Sequence, residues 1–106
     1  MADQVEAPAE AEVVHVPEAS RFELRLAGRL IGHADYHRRN SRIAFTHTEV
    51  DEPYEGRGLG YLLAEAALNM ADEEGLEVVP LCPFIAHYIE ENPSYARLVA
   101  AHHRDR

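Results

Sequence analysis

Tyr54-Glu55-Gly56-Arg57-Gly58-Leu59-Gly60, with the helix-patterned run behind it, is the stretch on which the fold turns. Three glycines stand directly before that run, and no Ser, Thr, Asp or Asn is placed to cap its start. The first four N–H groups of a helix have no partner inside it and must be satisfied from outside. Glycine lets a ligand come close to the backbone, and the helix dipole favours negative charge at this end. The stretch reads as a phosphate or diphosphate seat at a helix N-terminus. It reads equally as a tight glycine turn before a water-capped helix. Two familiar phosphate motifs are excluded. A P-loop ends in Gly-Lys-Ser/Thr, and this chain has no lysine. Nor does Gly56-x-Gly58-x-Gly60 place a glycine where a dinucleotide fingerprint needs its third, and no clear acidic ribose ligand follows on the next strand.

Downstream, helical spacing over residues 58–74 puts Leu59, Leu62, Leu63, Ala66, Ala67, Met70 and Ala71 on one stripe, and Gly75 ends the helix. Residues 76–82 are apolar almost throughout, the pattern of a strand buried on both faces. Upstream, residues 42–50 form a strand in which simple alternation places Ile43, Phe45, His47 and Glu49 on one side. Strand, helix, strand is a βαβ unit, so 42–50 and 76–82 are expected to lie parallel and adjacent. Pro80 and Pro83 flank Cys82. Proline cannot donate to a ladder, so the pairing is expected to fail near Cys82 and the sheet to open there, or Pro80 merely marks an edge.

Before this unit, residues 21–27 alternate Phe22, Leu24 and Leu26 against Arg21, Glu23 and Arg25. They form a hairpin with 30–37 across a turn at 27–29, and 38–41 is the next turn. Residues 12–16 form a short strand ended by Pro17. After the βαβ unit, 84–91 is a short helix stopped at Asn92-Pro93, and 94–102 a last helical segment. The expected architecture is a compact α+β (α/β) fold: an antiparallel meander of three to four strands, then a βαβ unit with a splayed parallel pair.

The 106 residues amount to one domain, placed at 13–103 behind a disordered acidic tail at 1–12. A formal charge of −9 makes nucleic acid and anionic membranes poor partners. The single cysteine excludes an internal disulfide and suits a reducing cytoplasm; no apolar run is long enough to span a membrane, and no signal peptide is evident. No histidine or carboxylate cluster has the spacing of a metal site, so no metal is expected. His33 and His37 share a strand face, and His102 and His103 read as a frayed end.

Taken together, these parts resemble the GNAT superfamily of N-acetyltransferases, most closely its short single-domain members. The superfamily's acetyl-CoA motif, Gln/Arg-x-x-Gly-x-Gly/Ala, has its counterpart in Glu55-Gly56-Arg57-Gly58-Leu59-Gly60. The short members are also similar at His47-Thr48-Glu49-Val50, at Val79-Pro80-Leu81-Cys82-Pro83-Phe84-Ile85, at Tyr88-Ile89 and at Asn92-Pro93-Ser94-Tyr95. Glu55 stands where Gln or Arg is usual, and a carboxylate beside a diphosphate has to point away or pair with an arginine such as Arg57.

The resemblance implies an acetyl-CoA-dependent N-acetyltransferase. Coenzyme A would lie against Glu55, Gly56, Arg57, Gly58, Leu59, Gly60, Tyr61 and Leu62, with a backbone N–H near Val50 polarising the acyl carbonyl. It also implies, for the short members, that Cys82 takes the acetyl group first, with His47 on the neighbouring strand as its base. A thiol is mostly protonated at neutral pH, so an adjacent base would help it. Glu49 is a second candidate base, and Tyr88 or Tyr95 a candidate proton donor to the leaving thiolate. Each has a plainer reading: Cys82 as a small core residue, His47 and Glu49 as sheet residues, the tyrosines as packing. The acceptor amine and the oligomeric state stay open. A second function class is a non-catalytic acyl-CoA-binding module acting as sensor or partner subunit, and a third a purely structural domain.

Overall fold

The computed structural model describes residues 10–100. Most of the expected acidic tail, together with His102 and His103, lies outside them. Four strands run as an antiparallel meander: β1 (Ala11–Val16), β2 (Arg21–Leu26), β3 (Arg29–Arg39) and β4 (Arg42–Val50). Helix α1 (Gly60–Glu73) then crosses the sheet, and β5 (Glu77–Pro80) joins it parallel to β4, giving the order β1-β2-β3-β4-β5. Helix α2 (Pro83–Glu91) and a 3-10 turn (Pro93–Leu98) complete the described chain. β1 starts at Ala11, opposite Leu26, so Ala11 and Glu12 belong to the sheet and not to the tail. The β2–β3 hairpin closes through Ala27 and Gly28, both at positive φ (51° and 82°), the geometry that matches the right-handed twist of paired strands.

The core lies between one face of the sheet and α1. Phe22, Leu24, Ile31, Ile43 and Phe45 enter it from the strands; Leu63, Ala64, Ala67, Leu68, Met70 and Ala71 enter from α1. The expected α1 stripe is displaced by part of a turn. Ala64 and Leu68 are fully buried, while Leu62 and Ala66 are only half-buried, because α1 also packs against α2 and the 3-10 turn on its flank. The helix begins at Gly60 rather than 58, since Gly58 takes a φ of 80° that no right-handed helix contains.

Two irregularities shape the end of the sheet. β3 pairs Tyr36 with Phe45 and Asp35 with His47, which leaves Thr46 as an extra residue, a β-bulge. The bulge breaks the simple alternation of β4. Ile43 and Phe45 face the core, but beyond Thr46 it is Thr48 and Val50 that continue on that side, while His47 and Glu49 turn to the other face. The second irregularity is β5, which pairs with β4 only from Arg42↔Glu77 to Phe45↔Pro80. One more bond, Cys82 N–H to the Phe45 carbonyl at 2.9 Å, ends the contact. β4 continues to Val50 without β5 beside it. The bulge bends β4 at the level where this pairing ends, and the pair splays as a fork. Pro80 takes no donor from the ladder: Glu77 N–H faces β4, so by alternation the nitrogen of residue 80 faces away from it, on an edge strand.

Two expectations need correction here. The strand does not reach 82, and its tip is not buried on both faces: Leu81 is 57% exposed where the chain turns out of the sheet. The final segment is a 3-10 turn that gives way at Val99 to a parallel bridge with Val78.

His15 illustrates how the meander handles a polar core neighbour. Its ring stacks on Phe22 at 4.3 Å and 8°, and its Nε2 lies 2.7 Å from the Tyr36 hydroxyl. Burial holds the imidazole below its usual value, against the opposing pull of Glu74. The unfolded chain therefore binds a proton here before the folded one does. The stability this site contributes is whole above an unfolded value of about 6.5 and is lost as pH falls toward the depressed folded value. His15→Phe keeps the stack and removes the titration. Its urea midpoint is expected to fall less than the wild type's between pH 7 and 5; an identical fall would mean that His15 does not couple to folding.

Candidate functional site

A cleft of about 780 Å³ opens where β4, the glycine loop and α2 meet, lined by Thr48, Glu49, Val50, Tyr54, residues 55–61 and Phe84. Gly56 and Gly58, at φ 81° and 80°, take the left-handed backbone that the loop needs before α1. Gly60 is required for another reason. A Cβ there would stand 3.0 Å from Phe84 Cζ and 3.5 Å from Val50 Cγ2, so its missing side chain makes room for the Phe84 ring.

α1 starts with Leu59 as its N-cap and no side-chain cap. The N–H groups of Tyr61 and Leu62 donate to the carbonyls of Gly58 (3.1 Å) and Leu59 (3.0 Å), which withdraws both from the expected set of backbone donors. The N–H groups of residues 56–60 are the ones left to a ligand, and they sit in the cleft wall. Arg57 supplies a cation there, its guanidinium 6.0 Å from the centre of the Tyr54 ring. It does not lie in an ion pair with Glu55, whose side chain is exposed.

Val50 is turned usefully. Asp51 N–H donates to the Ile31 carbonyl at 2.7 Å across to β3. Donors alternate direction along an antiparallel strand, so the N–H of Val50 points away from β3, into the fork. Glycine loop and fork thus present backbone donors to one cleft.

The fork also brings Cys82 and Thr48 together. Cys82 is 3% exposed and belongs to the core cluster; its Sγ donates to Thr48 Oγ1 at 3.4 Å. His47 is not there. Its side chain is 58% exposed on the opposite face, with Nε2 3.3 Å from Glu49 Oε1 and its ring 5.8 Å from that of His33. His33 Nδ1 is 3.1 Å from Asp35, and Arg21, Glu23 and Arg25 continue the charged network across β2. His37 stands apart, exposed beside Ala44. The expected Cys82–His47 dyad is therefore not assembled; the bulge at Thr46 puts the two side chains on different faces.

Neither candidate tyrosine lines the cleft. Tyr88 packs between Tyr61 and Tyr95, and burial pushes its phenol up to about 12, with Glu65 adding to the shift. Tyr95 donates its hydroxyl to Asn69 at 2.8 Å, far along α1 from the glycine loop. Three cleft residues, Thr48, Tyr54 and Phe84, stand in the stretches quoted from the sequence but carry no assigned role there. Alternation sets Thr48 on the wrong face, and in the other two stretches the glycines and Cys82 carry the sequence signals. Among the described residues, no group of histidine, cysteine and carboxylate side chains could hold a metal ion, and no helix is long and apolar enough to cross a membrane.

A family model described as GCN5-related N-acetyl-transferase matches residues 21–98. The chain is similar to Protein NATD1 of Xenopus tropicalis, 31% identical over 94 residues that cover 86% of this chain and 85% of that protein. To human Protein NATD1 it is 47% identical over 51 residues, 48% of this chain and 45% of the relative. In the alignments to the chicken and mouse proteins, too, the chain spans about half the relative's length (46%). Among solved structures, a GCN5-like protein from Staphylococcus aureus superposes with a TM-score of 0.66 at 23% identity, covering 93% of this chain and 100% of that one. The ribosomal-protein-S18-alanine N-acetyltransferase of Escherichia coli gives 0.53 at 18% identity, covering 68% and 42%. Both are likenesses of fold. Because the matched region runs from β2 through the 3-10 turn, enclosing glycine loop, fork and both helices, the chain belongs to the GCN5-related N-acetyltransferase family.

Proposed function

We propose that this protein transfers an acetyl group from acetyl-CoA to an amine by direct attack, without an acetyl-cysteine intermediate. The observation that carries the reading is the convergence of the loop N–H groups of residues 56–60 and the Val50 N–H on one cleft that ends in the fork. A diphosphate suits the first set, by hydrogen bonding and by the helix dipole. A thioester carbonyl suits the second, because a fixed N–H is strongest where negative charge develops on that oxygen.

The cleft lies on the helix side of the sheet, and β4 and β5 part only at the fork, so the acceptor reaches the thioester from the outer face. His47 and Glu49 stand there. His47 takes the amine proton as the nitrogen attacks the carbonyl carbon, and Glu49 holds its ring in place. The C–S bond breaks, and the thiolate is protonated from water. Among the described residues the Cys82 thiol hydrogen-bonds the Thr48 hydroxyl, and no base is in hydrogen-bond contact with it, which favours the direct route. Glu49, its side chain 61% exposed on the outer face beside His33 and His47, favours a cationic acceptor, whereas Glu23 and Asp35 are paired with Arg21 and Arg25.

Thermal melting with and without acetyl-CoA, followed by assay of free CoA thiol over a panel of polyamines and lysine peptides, tests the proposal. A ligand at about one hundred times its Kd stabilises the folded state by about 2.7 kcal/mol, readily seen in the melting temperature. Cys82→Ala is expected to keep acetyl turnover. An acetyl adduct at Cys82, with turnover lost in a folded Cys82→Ala variant, would instead establish the covalent route. Stabilisation without turnover on any amine would point to a CoA-binding module, and no stabilisation would remove the coenzyme altogether.

A further inference from the structure

We infer that Thr48 sets the length of acyl group that this cleft accepts, with Cys82 holding it in position. The inference rests on the coenzyme reading and adds to it a role for residues that transfer itself does not use. The Thr46 bulge brings Thr48 to the cleft face of β4, where it lines the cleft. Its hydroxyl accepts the Cys82 thiol proton at 3.4 Å, joining β4 to the chain just beyond β5. Directly behind the pair, Cys82 N–H donates to the Phe45 carbonyl at 2.9 Å, and regular β4–β5 pairing begins with Phe45↔Pro80. The fork is thus closed twice within two residues, first by side chains and then by backbone.

An arm that starts at the glycine loop and enters the fork runs toward this end. Phe84 gives it no side exit: its ring is packed over Gly60 and stacked on Tyr61 with 18° between the planes. A thioester carbonyl held by the Val50 N–H lies two residues short of Thr48. That leaves room for a methyl group, and each further methylene meets the Thr48–Cys82 bridge. Since Cys82 is buried in the core cluster, the bridge cannot swing aside as an exposed pair could.

The test is calorimetric titration of the whole protein with CoA, acetyl-CoA, butyryl-CoA and hexanoyl-CoA, compared as ratios of Kd so that any change common to all ligands cancels. Wild type is expected to bind butyryl-CoA at least roughly tenfold more weakly than acetyl-CoA, and hexanoyl-CoA more weakly still, from the usual penalty for an extra methylene in a closed pocket. Thr48→Ala is expected to bring the butyryl/acetyl ratio within about threefold of unity. Cys82→Ser preserves size and hydrogen bond, and is expected to keep the wild-type ratio although the nucleophile is gone. A ratio near one in wild type, or one unmoved by Thr48→Ala, would overturn the inference while leaving the coenzyme reading intact. Failure of CoA itself to bind would sink both.

Discussion

Replacing His47 by glutamine is expected to lower kcat by roughly 10²–10⁴-fold, the usual worth of a positioned general base, while the Kd for acetyl-CoA stays within about threefold of wild type. The two halves of the prediction come from the same geometry. His47 is turned to the outer face beside Glu49, whereas the donors offered to the coenzyme lie on the cleft side. Glutamine keeps much of the size and polarity of the ring but has no nitrogen that can take a proton. Single-turnover acetylation of the best amine, measured beside calorimetric binding of acetyl-CoA, separates chemistry from affinity. Glu49→Gln should cost less, because Glu49 acts through His47; its signature is a changed pH profile rather than loss of the reaction. A His47→Gln rate within threefold of wild type would place the base elsewhere.

The second large effect is expected from deleting Thr46. The deletion preserves the facing of every residue in β4: Phe45 stays toward the core, His47 becomes its outward neighbour, and Thr48 and Val50 remain on the cleft side. What disappears is the extra residue that bends the strand away from β5. A straight β4 can pair further along β5, and the N–H of Val50 loses its opening. The chain is therefore expected to remain folded, with a cooperative melt, and to bind acetyl-CoA at least about a hundredfold more weakly, roughly 2.8 kcal/mol. Folded protein that binds as tightly as wild type would show that the bulge does not hold the fork open.

These two experiments fall on either side of the line between what the residues disclose and what the fold adds. The glycine loop was legible because its signals are local. Gly56 and Gly58 permit positive φ, and a helix start without a capping side chain has donors to spare wherever it folds. Pro80 was legible as the mark of an edge strand, since its nitrogen lies on the side of β5 away from β4; the opening near Cys82 was expected from it but coincides with the bulge in β4. The meander and βαβ order followed from apolar periodicity and turn residues, again properties of short stretches.

The facing of His47 was not legible. A bulge is a relation between two strands, created when β3 sets Asp35 against His47 and Tyr36 against Phe45, and nothing in the residues around Thr46 announces it. One uncounted residue reverses every side chain after it, which parts His47 from Cys82 and puts Thr48 in its place. The tyrosines fail for a related reason: their positions on α2 and the 3-10 turn were foreseeable, but their surroundings depend on how those elements pack against α1. By itself the sequence determined that a glycine loop leads into a helix without a side-chain cap, because that is set by the chemistry of single residues. Only the tertiary structure decided which side chains share a face with that loop, because register is set by pairing between distant segments and a shift of one residue inverts it.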